Sequence, residues 1–404
     1  MRGVGWWILL AILFLIGAAL RRSTLLALVF ILALATGASL LWARYCLSAV
    51  TYRRRLGHHA IDYGRETTLA LEFINAKPLP LAWLLVYDVF PRQIDLLTAE
   101  IQKGAPHRPG RLTNMLSLRW YERVVRTHRI RGKHRGLYEF GPAELSAGDI
   151  FGIHNRRRVD TTIDTLIVYP KVVPVHELGL PAGRPIGEWA ARRKMVEDPL
   201  RFAMVREYVP GDNARHIHWP ASARSGTLQT KVFDPSDTLS LIIALDVQTL
   251  HRPYEYEPDY LELAVSATAS LALHGLDQRY SVGIYANALG PAGDQWVRLR
   301  PGRHPRQATE ILTMLARLDW FRGRPYDDML QRIMPLLPYG ATIAAITAMP
   351  NDATYRALAA LQDANHPIIL LTIGDRMSDV PERFTRHHLG GHDAWHRLEA
   401  LQLA

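Results

Sequence analysis

Asp212, His216, His218 and Ser222 fall within eleven residues. A carboxylate, an imidazole and a hydroxyl are the parts of a hydrolase triad. A triad works only when nucleophile, base and orienter form one spatial chain, which closeness in sequence does not provide. No G-x-S-x-G elbow surrounds Ser222. The spacing favours local capping and pairing by Asp212 and Arg215, with Ser222 bonded to backbone; a hydrolase using Asp212, His218 and Ser222 is the alternative. A second cluster, His387, His388, His392 and His396, lies at 387–396. His392 and His396 share a face if that stretch is helical, and with Asp393 they could hold a metal. An exposed histidine-rich tail is the favoured reading. The single cysteine, Cys46, rules out an internal disulfide framework and a Cys-based zinc site. There is no G-x-x-x-x-G-K-[ST] loop, so the chain is not itself a P-loop ATPase, and no cofactor is expected.

The first cluster sits in residues 206–231, REYVPGDNARHIHWPASARSGTLQTK. Pro210, Gly211 and Asp212 signal a turn, since Pro presets φ, Gly accepts φ > 0 and Asp can cap the next segment. Ile217 and Trp219 are apolar among Arg215, His216, His218 and Arg224. The stretch should bury one narrow face and present charge on the other.

Residues 4–20 and 24–42 are uncharged and apolar over 17 and 19 residues. Both approach the roughly 20 residues that span a bilayer. Arg21 and Arg22 between them cannot sit cheaply at mid-bilayer, so the pair is expected to be a helical hairpin with the arginines at its tip. A signal peptide would need a charged start and a cleavage site, and would not be followed at once by a second apolar span. Arg2, Arg44, Arg53, Arg54 and Arg55 outweigh the tip, which places the termini and the soluble bulk in the cytoplasm. The net charge of +10, from 48 basic and 38 acidic residues, is scattered. It suits an acidic membrane surface and gives no concentrated footprint for nucleic acid, which is not an expected partner.

From 61 to 169, short runs lie between Pro and Gly punctuation: 68–74 and 116–130 alternate with period two, 81–89 is an apolar run with β-branched and aromatic residues, and 138–145 reads as another strand. They predict a small β-sandwich. Arg156, Arg157 and Arg158 read as a solvated loop. Beyond 238 the pattern changes to apolar runs at 239–245, 280–286, 341–347 and 367–373. Helical stretches at 259–276, 306–318 and 353–364 alternate with them. That alternation predicts a doubly wound α/β sheet. The expected organisation is a transmembrane hairpin at 1–43, a basic juxtamembrane linker at 44–60, the β-sandwich at 61–170, a connector at 171–237, the α/β domain at 238–375 and a tail at 376–404.

The stretch 206–228 resembles the signature of the bacterial domain-of-unknown-function 58 family, R-E-Y-x-x-G-D-x-x-R-x-I-D-W-x-x-S-A-R-x-G-x-L. Arg206, Glu207, Tyr208, Gly211, Asp212, Arg215, Ile217, Trp219, Ser222, Ala223, Arg224, Gly226 and Leu228 match it. His218 stands where the family usually carries Asp. Asn75 to Trp83, Arg135-Gly136-x-Tyr138 with Gly141-Pro142, and Asp149-Ile150-Phe151-Gly152 resemble further family elements, read as structural. The resemblance implies a von Willebrand factor A-like α/β domain. Such domains often hold Mg²⁺ through Asp-x-Ser-x-Ser, because a hard cation wants several close oxygens. The corresponding run has Asp246, Gln248 and Leu250, so the position is degenerate and no metal is expected there; a Mg-dependent adhesion-type binder is a further alternative. The resemblance also implies a partner, a MoxR-type AAA+ ATPase, and a transglutaminase-like membrane protein nearby. The function it implies is a membrane-anchored, non-enzymatic adaptor in chaperone-like assembly or envelope-related work. On that reading Arg206, Glu207, Asp212, Arg215 and Arg224 form either a partner surface or an ion-paired clasp between folded units. The clasp is preferred, because Tyr208, Ile217 and Trp219 need a wall to pack on.

Overall fold

The two apolar stretches at the start fold as helices α1 (Arg2–Ala19) and α2 (Ser23–Tyr45) in the computed structural model. It describes residues 2–98, 109–150, 154–176, 197–209, 216–235, 239–252, 255–291, 293–377 and 380–402. Among these, α2 is long and apolar enough to cross a membrane, while the apolar part of α1, Gly5–Ala19, is shorter. Trp6 Nε1 donates to Thr36 Oγ1 at 3.0 Å, which satisfies the indole within the pair. The chain divides into two units, residues 1–168 and 169–404.

Among the described residues the first unit continues from α2 into eleven strands: β1 (Val50–Leu56), β2 (Ala60–Ile61), β3 (Glu66–Asn75), β4 (Leu81–Phe90), β5 (Ile94–Leu96), β6 (Gly110–Leu118), β7 (Arg123–Gly132), β8 (Gly136–Phe140), β9 (Ala143–Gly148), β10 (Asn155–Asp160) and β11 (Asp164–Val168). They form three sheets, ordered β1-β3-β7-β5, β10-β9-β4-β6 and β2-β11-β8. The strand runs point inward as expected: Leu69, Leu71 and Phe73 of β3 share one core with Leu84, Val86 and Phe90 of β4. Each such side chain contributes roughly 1.5–3 kcal/mol by leaving water.

Three sequence expectations change here. Residues 44–60 are no linker: β1 runs along β3, Val50 opposite Asn75 and Leu56 opposite Leu69. Its alternate residues Val50, Tyr52 and Arg54 are buried, and the arginines at 53–55 obscure that period in the sequence. The run 138–145 is two strands, because Gly141 (φ 102°) and Pro142 break it. Arg156 to Arg158 lie on β10, an edge strand. Arg158 donates to Leu47 O at 3.1 Å and to Val50 O, so a residue expected in solvent ties down the chain leaving α2.

The helix-to-sheet junction is closely held. Ser39 Oγ of α2 donates to Asp149 Oδ2 at 2.7 Å, and Asp149 Oδ1 accepts from His154 N at 2.9 Å. Lys77 Nζ donates to Cys46 O at 2.7 Å and to Asn75 Oδ1 at 2.9 Å. Asn75 Nδ2 in turn donates to Leu79 O and Arg119 O, at 3.0 and 2.7 Å. Burial draws the Lys77 ammonium down to about 8. Asn75, Lys77 and Asp149 are therefore structural, as their turn chemistry suggested. At the centre Asp88, 1% exposed, accepts from Tyr52 OH at 2.6 Å and Arg54 Nη1 at 2.6 Å. Arg54 also donates from Nε to Asp164 Oδ2 at 2.8 Å and from Nη2 to Thr162 O.

The second unit opens with β12 (Val175–His176), β13 (Glu197–Glu207), helix α3 (Trp219–Ser225) and β14 (Gln229–Pro235). Then come β15 (Ser240–Leu245), α4 (Pro258–Asp277), β16 (Ser281–Ala286), β17 (Val297–Gly302), α5 (Gln307–Ala316), α6 (Tyr326–Ile333), β18 (Thr342–Thr347), α7 (Asp352–Asp363), β19 (Ile368–Thr372), β20 (Thr385–His388), α8 (His392–His396) and β21 (Leu401–Gln402). Six strands make one sheet in the order β17-β16-β15-β18-β19-β20, parallel except for β17. One face, with Ile242, Ala244 and Ile343, packs on α6 and α7. On the other face Gly275 of α4 lies against Leu241 and Val282, where a Cβ would approach their methyls at 2.9 and 3.1 Å. Cover on both faces explains the continuous apolar runs. The stretch 376–404 is not a tail: β20 is the sixth strand, and His387, Trp395, Leu398 and Leu401 are buried.

Candidate functional site

Two places in the second unit gather the residues singled out by sequence. The first is the ribbon of β13 and β14, with Arg206 opposite Thr230 and Glu207 opposite Gln229. Tyr208 N extends it by donating to Leu228 O at 2.8 Å, and Ile217 bridges to Thr230. Gly211, Asp212 and Arg215 lie outside the described residues. The rest of the signature is built around α3. His218 is its N-cap: Nδ1 accepts from Ala221 N at 3.0 Å. That is the bond an aspartate oxygen makes at an N-cap, so the imidazole keeps the function of the residue it replaces. Pro220 in the first turn and Gly226 beyond the last, at φ 71°, complete a well-marked short helix. We expect His218→Ala to cost about 1 kcal/mol locally and to speed amide exchange at Ala221, whereas His218→Asp retains protection. Equal exchange in both variants would refute the capping role.

Ser222 Oγ accepts from Gln229 N at 2.8 Å and donates to His218 O at 3.1 Å. Its proton faces a carbonyl and not the His218 ring, so the hydroxyl ties α3 to β14. Arg206, Glu207, Ala223 and Arg224 are exposed; Tyr208, Ile217 and Ser222 are half-buried. Trp219 overturns an expectation. A narrow buried face is expected to hold it, yet it is 66% exposed, and no residue of α3 is buried. It occupies the first position of a helix held by its caps rather than by an apolar face. Val209, Leu228 and Met204 nearby in the chain are exposed too.

The second place is the carboxyl end of the sheet. In the order β16-β15-β18 the chain runs outward in both directions from β15, which makes the β15/β18 crevice a switch point of the kind where such sheets bind ligands. Asp246 follows β15, Asn287 follows β16 and Thr347 ends β18. Asp246 Oδ1 accepts from Asn287 Nδ2 at 2.7 Å and from Gln248 N at 3.0 Å; Oδ2 accepts from Thr347 Oγ1 at 2.8 Å. Thr347 Oγ1 accepts from Met349 N at 3.0 Å, and Asn287 Oδ1 accepts from Val247 N at 2.8 Å. Gln248 is spoken for as well: Nε2 donates to Leu250 O at 2.9 Å and Oε1 accepts from Arg322 Nη1. Asp246 is 3% exposed, and burial pushes its carboxyl up to about 6 against the pull of these donors and the Arg322 charge.

This donor set does not fit a Mg²⁺ ion. A hard cation needs free, closely placed oxygens. Here the Asp246 carboxylate faces three internal donors, Gln248 faces a guanidinium, and Leu250 has no side-chain oxygen. Sequence reading found Asp246 through its strand. It missed Asn287 and Arg322, 41 and 74 residues away from their partners, because nothing local marks them.

Residues 204–361 match the family model described as "Protein of unknown function DUF58", a span that holds the signature and the Asp246 centre. The chain is 26% identical over 245 residues to the uncharacterized protein YeaD of Bacillus subtilis (strain 168), covering 58% of this chain and 55% of that one. It thus spans about half the length of this curated relative. Solved structures with likeness include a cohesin module from a Clostridium perfringens family 33 glycoside hydrolase, with TM-score 0.20, 10% identity, 30% of this chain and 96% of that one. A non-cellulosomal cohesin from Archaeoglobus fulgidus has TM-score 0.20, 11% identity, 29% of this chain and 91% of that one. Likeness at this level carries no argument about function.

Proposed function

We propose that this chain, read as a DUF58 family member, is a membrane-anchored, non-enzymatic adaptor whose signature ribbon docks a protein partner. The partner class implied by the family resemblance is a MoxR-type AAA+ ATPase, with a transglutaminase-like membrane protein as a further associate. In this proposal α1 and α2 form two spans, the soluble units face the cytoplasm, the first unit is a β-sandwich and the second a von Willebrand factor A-like domain. One observation carries the docking role: Trp219 stands 66% exposed on a short, well-capped helix that also carries the exposed Arg224. Exposed Trp and Arg on a pre-ordered support are the residue types that dominate protein interfaces. The same exposure favours a partner surface over a clasp. The internal hydrogen bonds of Ser222 and Asp246 support a role without bond-making chemistry.

The test is capture from detergent-solubilised native membranes, using the full chain with a non-histidine tag in the presence of ATP. A MoxR-type ATPase is expected in the eluate. The double variant Trp219→Ala, Arg224→Ala should reduce its capture at least about tenfold with an unchanged melting profile, since two interface anchors are removed. Absence of the ATPase, or full capture by the folded double variant, would sink the proposal.

A further inference from the structure

The histidines near the end of the chain have a partner that the sequence did not suggest. The single turn of α8 sets His392 and His396 on one side, i and i+4. Facing them is not Asp393 but Asp259, in the first turn of α4. His392 Nδ1 lies 2.7 Å and His396 Nε2 3.1 Å from the same oxygen, Asp259 Oδ2. One ligand atom from each of the three residues falls within 4.8 Å of the others. Glu257 Oε1 is 3.9 Å from His392 Nδ1.

We propose that Asp259, His392 and His396 bind a divalent transition-metal ion, Zn²⁺ in kind. Two imidazole nitrogens and one carboxylate are a recurrent three-ligand set for zinc, with a fourth position left for solvent or another carboxylate. Imidazole donors disfavour Mg²⁺ and Ca²⁺, which take oxygen ligands. In the metal-free arrangement both ring nitrogens must carry a proton to donate to the shared oxygen. An ion between them replaces those protons with a stronger positive centre. Tetrahedral ligands about 2.05 Å from zinc stand about 3.3 Å apart, so the two histidine–aspartate spacings of 2.7 and 3.1 Å need to open by about 0.6 and 0.2 Å. The rings are exposed and free to make that adjustment, at 57% and 61%. Glu257 is placed to take the fourth position.

The support is built. His392 N donates to Asp375 Oδ1 at 3.0 Å, and Gly391 is the residue that permits this approach, since a Cβ there would meet that oxygen at 1.9 Å. Trp395, between the two histidines, is buried under Lys171, whose Nζ sits 5.6 Å from the ring centre. Leu401 N donates to Pro174 O at 3.0 Å. The ligands are thus held on folded elements, as a preorganised site requires.

The test is a zinc titration of the full chain in detergent, carrying a non-histidine tag and stripped of metal, in competition with a chromophoric chelator. One saturable equivalent is expected. His392→Ala, His396→Ala and Asp259→Asn should each weaken it at least about tenfold. His251→Ala, an exposed histidine elsewhere in the unit, should leave it unchanged. Zn²⁺ should raise the melting temperature of the unaltered chain but not of His392→Ala, and Co²⁺ should give four-coordinate visible absorption only in the former. No saturable equivalent, or equal affinity in a folded His392→Ala, His396→Ala double variant, would overturn the site and leave an ion-paired clasp only.

Discussion

Replacing Asp88 with alanine will destabilise the first unit by about 3–5 kcal/mol, the cost typical of leaving one half of a buried ion pair without its partner. The carboxylate is the meeting point of Tyr52 and Arg54, both of which are buried on β1. Removing it strands the Tyr52 hydroxyl and one arm of the Arg54 guanidinium. Asp164 cannot compensate, because it already engages Nε, and Thr162 O takes the remaining arm. Arg54→Met with Asp88→Leu should restore part of the loss, since replacing both charges with apolar residues removes the desolvation penalty together with the attraction, and adding Tyr52→Phe should restore more by removing the stranded hydroxyl. Thermal unfolding of the full chain in detergent, followed by near-UV circular dichroism, gives the comparison. A loss under about 1 kcal/mol would show that Arg54 reaches water when its partner is gone.

The second large effect lies at Asp246. Asp246→Ala orphans Asn287 Nδ2, Gln248 N and the Thr347 hydroxyl together, and should cost about 3 kcal/mol or more. Asp246→Asn isolates the charge instead. The carboxyl has an ordinary value of 3.8 and sits at about 6 in the folded chain because of burial. Between those values the folded state keeps a proton that the unfolded state releases, so stability falls as pH rises through the window and levels off above it. The difference between the unaltered chain and Asp246→Asn should therefore decline by about 2.4 kcal/mol from pH 4 to pH 7, the rest of the roughly 3 kcal/mol lying below pH 4. Parallel stability curves for the two proteins would mean that the carboxyl titrates at its ordinary value and that its hydrogen bonds outweigh burial.

How far the fold is legible in the sequence depends on where the information sits. β15, β16, β18 and β19 are visible because strands covered on both faces are apolar throughout. β17 is not, since its residues alternate between half-buried and exposed at the sheet edge. β1 and β10 are hidden by arginines whose charges belong to partners far along the chain: Arg54 with Asp88, and Arg158 with the backbone of Leu47 and Val50. Around α3 the backbone bonds of Ser222 are as the sequence suggests, while the cap falls on His218, and Asp212 and Arg215, expected to cap and pair, lie outside the described residues. Trp219 is misread because an aromatic among charges predicts burial only where a helix has a face to bury, and α3 has none. Asp259 and His396 are 137 residues apart, so the sequence offers their types but not their meeting.

The junction below α2 has a mechanical consequence. α2 ends at Tyr45 and β1 begins at Val50, with Arg158 and Lys77 gripping the carbonyls of Leu47, Val50 and Cys46 between them. Ser39, still within the helix, is pinned to Asp149. No swivel is left at this point. If α2 crosses a bilayer, as proposed above, the first unit is a post rather than a balloon on a string: it stands at a fixed height, and a change in helix tilt turns it through the same angle. Bilayer thickness or curvature would then act on that unit as a torque.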